Sequence, residues 1–354
     1  MNYLADPVRL QFELSSMCNA LCLGCVRTDT ATFASAKSLI PEKQYISFDV
    51  FKKILTAPSF ASATELEFCG VIDDPLMHPE FIEFIEYAAT VKPYRVLVHT
   101  NASLRNKQYW TKLAAALQKH HRHVVRFSID GLADTNHIYR QNTQWHKIME
   151  NAQAYLAAGG YAMWQFLVFP WNKHQVEDAR TLSKSMGFQE FVVRHDRSIV
   201  TEVGLDNIKQ KQSAGTVNVS FVNSRIEDIN RSLSKYANDA VACDTQTRKM
   251  FFIGYDARLW PCCFLHNGFM SMDRGKKTLL TQRLFDAYGS TDWNDLNLHS
   301  VEEILDHEFY KNDLVNSWQS SSHSTSKGSR IFRCTEVCSV KKLESVPIGN
   351  FKTL

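Results

Sequence analysis

Over its first 200 residues the chain repeats one pattern, a short apolar strand followed by an amphipathic helix, and this constrains the fold more than any other feature. Arg9–Leu14 alternates, with Leu10, Phe12 and Leu14 on one face, and predicts a strand. Further strands are expected at Glu65–Phe68, Arg95–His99, Val124–Ile129, Met163–Phe169 and Glu190–Arg194. Helices are expected at Phe48–Leu55, Glu80–Ala89 (opened by Pro79), Asn106–Lys119, Asp134–Arg140, Gln144–Ala158 and Lys173–Met186. Gly159-Gly160 and Gly187 close the last two. Strands separated by helices of this length imply βαβ units and a parallel sheet. Six units fall short of the eight of a closed barrel. The expected fold class is therefore α/β, a partial (β/α)6 TIM-like barrel over residues 1–200.

Beyond it the pattern changes. Residues 201–242 read as a connecting segment, with a turn at Ser213-Ala214-Gly215 and one helix near Ile226–Tyr236. Residues 243–354 read as a small C-terminal α+β domain. There Lys249–Tyr255 and Arg258–Pro261 predict a hairpin around Asp256-Ala257, and Val301–Tyr310 predicts a helix. Trp318–Ser329, rich in Ser, His and Lys, reads as a mobile loop. A net charge of +3 over 354 residues is too mild to argue for nucleic acid or a membrane surface. No run approaches the roughly 18 apolar residues of a membrane span, and Met1–Pro7 carries no secretory signal. A cytoplasmic location is expected. In a reducing compartment, clustered thiols are more often metal ligands than disulfides, and the odd count of nine cysteines agrees.

Three of those cysteines, Cys18, Cys22 and Cys25, follow closely on the first strand. Three thiolates within one short loop can wrap a single metal centre. A cubane 4Fe–4S cluster usually takes four cysteines, so three leave one iron open, as a reactive site needs. A CxxxCxxC loop directly after the first strand of a βα partial barrel resembles the radical S-adenosylmethionine (radical SAM) superfamily. The resemblance implies that the open iron binds the amino and carboxylate groups of S-adenosyl-L-methionine. It further implies that the reduced cluster cleaves this cofactor to a 5′-deoxyadenosyl radical, which takes hydrogen from the substrate. The residue before the third cysteine is commonly aromatic in that family; here it is Gly24. A structural zinc knuckle is the alternative reading of the loop.

Other strand ends resemble the same family. Cys69-Gly70-Val71-Ile72-Asp73-Asp74-Pro75-Leu76 looks like a degenerate form of its GGEP turn, whose backbone carbonyls receive the cofactor's amino group. This marks Gly70 and Asp74. His99-Thr100-Asn101-Ala102 is similar to the family's Thr-Asn-Gly and marks Asn101. Ser128-Ile129-Asp130-Gly131 implies that Ser128 and Asp130 lie near the ribose, with Arg140 pairing with the methionine carboxylate. A surface salt bridge is the plainer reading of Arg140. Asn172 is a further candidate adenosine contact. All of these lie at the C-terminal ends of strands, where barrel active sites assemble.

The second cysteine group is Cys243, Cys262, Cys334 and Cys338, enough to hold an auxiliary 4Fe–4S cluster. Cysteine, hairpin, cysteine and a later close pair resemble the Twitch and SPASM extensions, with Ala257 where glycine is usual. A full SPASM extension carries more cysteines, so a Twitch-like domain with one cluster fits better. Cys263 could replace Cys262, and a four-thiolate zinc site would use the same residues. Cys69 reads as a buried small hydrophobe, and Lys119–His123 as a solvated helix end. Glu13, Trp164, Phe166, Phe169 and Trp171 read as core or pocket lining. The expected activity is hydrogen abstraction from a peptide or protein side chain, by an oxidoreductase or modifying enzyme. It needs a reducing electron donor such as flavodoxin or ferredoxin. Dehydrogenation or epimerisation of a carbohydrate or other small metabolite is a second reading, and a non-catalytic zinc-binding interaction protein a third.

Overall fold

Strands form where the alternation places them. The computed structural model describes residues 6–22, 25, 43–195, 239–270, 287–320, 327 and 330–340. The strands of the repeated pattern are β1 (Arg9–Phe12), β2 (Glu65–Phe68), β3 (Arg95–Thr100), β4 (Arg122–Ser128), β5 (Ala162–Val168) and β6 (Glu190–His195). The helices among them are α1 (Phe48–Thr56), α2 (Phe81–Val91), α3 (Lys107–Leu117), α4 (Asn136–Tyr139), α5 (Trp145–Ala157) and α6 (Val176–Met186). Two compact units result, Gln11–Phe48 with Thr64–Val217, and Met1–Leu10 with Asp49–Ala63 and Asn218–Leu354.

In the larger unit the strand order is β1-β2-β3-β4-β5-β6. The β2·β3, β3·β4, β4·β5 and β5·β6 pairs are parallel. This is the expected partial barrel. Alternation sorts its two faces. Val98, Phe127 and Trp164 are fully buried, and Phe127 packs on Trp110 of α3 and Tyr155 of α5. The other face carries Glu67, His99, Arg126 and Gln165 instead. In register His99 pairs with Arg126, and Ser128 with Gln165. The core therefore lies between sheet and helices, and the concave face is left to polar groups. Asn106 caps α3 by accepting from Tyr109 N–H, and Gly187 ends α6 at φ +92°.

In the smaller unit the hairpin forms as expected, β7 (Met250–Ile253) antiparallel to β8 (Leu259–Trp260). Val8 and Arg9 N–H both donate to the Lys249 carbonyl, at 2.7 and 3.2 Å. The sequence boundary near residue 200 differs from the observed division, because Met1–Leu10 and Asp49–Ala63 pack with the C-terminal segment. Phe60 meets Phe251 with ring centres 5.3 Å apart. Lys53 Nζ donates to the Leu296 carbonyl, and Ser59 N–H to Glu302 Oε1.

Other differences are local. Helices α7 (Asp244–Thr247), α8 (Cys263–Met270), α10 (Leu314–Ser317) and α11 (Phe332–Cys338) carry too little periodicity to predict. The helix expected over Val301–Tyr310 stops early as α9 (Val301–Asp306), because His307 is extended; a π turn, Phe309–Asp313, follows. The helix at Ile226–Tyr236, the turn at 213–215, Gly24 and most of residues 321–329 lie outside the described residues. His120 corrects the solvated reading of Lys119–His123: it is 6% exposed, and its Nε2 donates to the Ile85 carbonyl at 3.0 Å. Among the described residues no helix is long and apolar enough to cross a membrane.

Candidate cofactor site

The chain leaves β1 and turns directly into the first cysteine loop. Cys25 N–H donates to the Cys22 carbonyl at 3.1 Å, and Leu21 N–H to the Gln141 carbonyl at 2.9 Å. None of the nine cysteines forms a disulfide. Cys18, Cys22 and Cys25 lie close enough for each thiolate to oppose ionisation of its neighbours. Burial pushes the Cys18 thiol well up, with Asp74 and Cys22 adding to it. Burial raises Cys22 too, and Arg140 opposes that rise. Buried thiols crowded this way favour a cationic centre, which ligates them as thiolates.

Two polar side chains reach the loop, one from the end of β3 and one from the end of α4. Asn101, just after β3, directs Nδ2 at Cys18 Sγ, 3.8 Å away, and at Asn19 Oδ1, 2.8 Å away. Arg140, just after α4, directs Nη1 at Cys22 Sγ, 3.6 Å away. Asn101 is held by Asp74, whose carboxylate accepts from Thr100 Oγ1, Asn101 N–H, Asn101 Nδ2 and Leu76 N–H. Asp74 is 2% exposed, and its carboxylate braces the turn after β3.

Arg140 is neither a surface ion pair nor uncommitted. Its Nε lies 2.6 Å from Oδ2 of Asp130, which is wholly buried. Asp130 Oδ1 accepts from Leu167 N–H at 2.7 Å, which fixes the carboxylate between β4 and β5. Asn172 is likewise wholly buried. Its Oδ1 accepts from Phe169 N–H, and Nδ2 donates to the Asp130 and Leu167 carbonyls. Its amide thus holds the β5 turn together. Ser128 is half-buried on the concave side of β4.

Gly70 admits no side chain, because a Cβ would stand 2.0 Å from Asp73 Oδ1 and 2.5 Å from Glu13 Cγ. Its turn is folded around two buried carboxylates. Glu13 Oε2 accepts from Val71 and Ile72 N–H. Asp73 accepts from Gly70, Leu14 and Ser15 N–H. Burial, with Glu13 behind it, pushes the Asp73 carboxyl well above the usual range. Asn19 carries no sequence signal of its own, whereas Asp73 and Thr100 lie inside the two turns that resemble the family's, with nothing in the sequence to mark what their side chains hold.

In the smaller unit, Cys243, Cys262, Cys334 and Cys338 line one cavity, whose other lining includes Val241 and Leu265. Cys263 is not among its lining residues, although its charge acts on Cys262. Burial raises Cys334, with Cys243 and Cys338 adding to it. Ala257 takes φ +59° at the hairpin tip, which explains the usual glycine there.

Among the described residues, Glu67, Cys69 and His99 bring three potential ligand atoms within 4.8 Å of one another. Cys69 is half-buried in that concave set, which corrects its reading as a core hydrophobe.

No protein-family model matches the chain, and no curated protein does. Among solved structures it is similar to Streptococcus suis SuiB bound to S-adenosylmethionine, at 11% identity and a TM-score of 0.48 over 73% of this chain. The chain spans 59% of that SuiB chain. It is also similar to anSMEcpe with bound AdoMet and the Cp18Cys peptide, at 14% identity and a TM-score of 0.48. That match covers 94% of this chain and 89% of the other. Methylornithine synthase, PylB, matches at 12% identity and a TM-score of 0.37 over 59% of this chain and 64% of that one. These likenesses concern the path of the backbone.

Proposed function

We propose that the chain is a radical SAM enzyme that abstracts hydrogen from a peptide or protein side chain. The observation carrying this reading is the convergence of Asn101 Nδ2, from the end of β3, and Arg140 Nη1, from the end of α4, on the sulfurs of Cys18 and Cys22. Cys18, Cys22 and Cys25 would hold a 4Fe–4S cluster and leave one iron to S-adenosyl-L-methionine. Held there and reduced, such a cluster would supply the one electron needed to split the cofactor into methionine and a 5′-deoxyadenosyl radical. The protein's part is positioning. N–H groups aimed at ligand sulfurs stabilise the added charge, so Asn101 and Arg140 raise the reduction potential. Asp130 holds Arg140 in place. Gly70, with no Cβ, lets its turn close on Asp73 and Glu13.

The peptide reading rests on the resemblance of the second cysteine group to Twitch-type extensions, with Cys243, Cys262, Cys334 and Cys338 around an auxiliary cluster. Anaerobic purification tests the whole reading. The protein should be brown, carry iron and sulfide, and release 5′-deoxyadenosine from S-adenosyl-L-methionine under reduction. Replacing Cys18, Cys22 and Cys25 together by alanine should abolish that release. Colourless protein holding only zinc, or release that survives the triple replacement, would overturn it.

A further inference from the structure

The concave face of the barrel holds a cation that the cofactor site does not use. Arg126, in the middle of β4, is 5% exposed. Its neighbours Val125 and Phe127 point to the helices, so Arg126 points into the barrel. Its Nη1 donates to His99 Nδ1 at 3.4 Å. His99 is thereby fixed as the tautomer that carries hydrogen on Nε2, which stands 3.2 Å from Glu67 Oε1. Arg126 Nε and Nη2 are buried and have no hydrogen-bond partner. They form one edge of the guanidinium, two parallel N–H groups spaced to fit the two oxygens of a carboxylate. The carboxylates nearest in the fold are engaged, Glu67 facing His99 and Glu190 accepting from Tyr161 Oη at 2.9 Å. Arg194 is near enough for the two guanidiniums to oppose each other, which an anion between them would relieve.

We infer that Arg126 is the anchor for a substrate carboxylate, gripped side-on by Nε and Nη2 inside the barrel. This rests on the reading above, that the chain is a radical SAM enzyme that takes hydrogen from a bound substrate. A metal ion on Glu67, Cys69 and His99 is disfavoured, because the Arg126 guanidinium already occupies the His99 Nδ1 lone pair. A carboxylate could arrive free in solution or on an acidic side chain of a peptide.

The test is anaerobic calorimetry of the cluster-loaded protein with S-adenosyl-L-methionine present. Three probes are titrated: glutarate, acetyl-Ala-Glu-Ala-amide and acetyl-Ala-Gln-Ala-amide. At least one carboxylate probe should bind tenfold or more tightly than the glutamine peptide. Tight glutarate would identify a free small molecule, and a tighter glutamate peptide a side chain. Arg126→Gln should erase the preference for the carboxylate, and Arg126→Lys, which keeps the charge but not the fork, should retain part of it. Circular dichroism checks that both variants fold. Carboxylate probes that bind no better than the glutamine peptide, or a preference that persists in Arg126→Gln, would overturn the inference. Loss of the radical reading registers separately, as absence of 5′-deoxyadenosine from the wild-type preparation.

Discussion

Arg140 shows how one side chain can join a cofactor site to the stability of the fold. Its partner Asp130 is fully buried, and Arg140 retains only 18% side-chain exposure. Removing the cation leaves a carboxylate unpaired inside the protein, which costs about 3–5 kcal/mol. Arg140→Leu should therefore lower the urea midpoint sharply, and adding Asp130→Asn should recover part of the loss. Equal midpoints for single and double variants would show that the two do not interact. Both positions were legible in the sequence as candidate site residues, but their partnership was not, because spacing does not say where a guanidinium points. Asp256 supports a second prediction, one in pH. Burial alone would raise its carboxyl, but His266, 3.4 Å away, and Arg258 outweigh that and hold it below the usual range. A depressed carboxyl contributes stability above its unfolded pKa of about 4, and that stability is lost as pH falls through the folded value. Melting temperature should fall less between pH 5 and pH 3 in Asp256→Asn than in the wild type.

Among elements, strands were more legible than their ends. Alternation located β2 to the residue, and Asn106 and Gly187 marked true helix termini. What period alone could not show was the break at His307 inside an otherwise apolar helical run, or helices such as α11 that are too short to display a period. Two turns carry alanine in the left-handed region, Ala102 at φ +62° after β3 and Ala257 at φ +59° in the β7–β8 hairpin. Both occupy positions where the resembled family has glycine. An L-residue in that region costs about 1–2 kcal/mol, of which glycine's extra chain entropy offsets a part. Ala102→Gly and Ala257→Gly should each stabilise the protein by about 1 kcal/mol, seen as a higher urea midpoint with unchanged slope. A lower midpoint in both would mean that the buried methyl groups matter more than the backbone.

On the scale of the whole chain, seven of the nine cysteines fall into two groups: the loop trio belongs to the larger unit, and the cavity quartet to the smaller. The grouping was readable from spacing alone, whereas the return of residues 1–10 and 49–63 to the C-terminal unit was not, since it rests on tertiary contacts such as Phe60 with Phe251. If each unit holds its own cluster, the two should be lost independently. Cys334→Ala with Cys338→Ala should reduce iron to about half while 5′-deoxyadenosine still forms without substrate turnover, because a cubane needs its thiolates but the trio lies in the other unit. Cys263→Ala should leave iron unchanged, since Cys262 and not Cys263 lines the cavity. Iron analysis and the electron paramagnetic resonance of the reduced protein read both outcomes. Full iron in the Cys334/Cys338 double variant would remove the auxiliary cluster from the proposal, and halved iron in Cys263→Ala would move its fourth ligand by one residue.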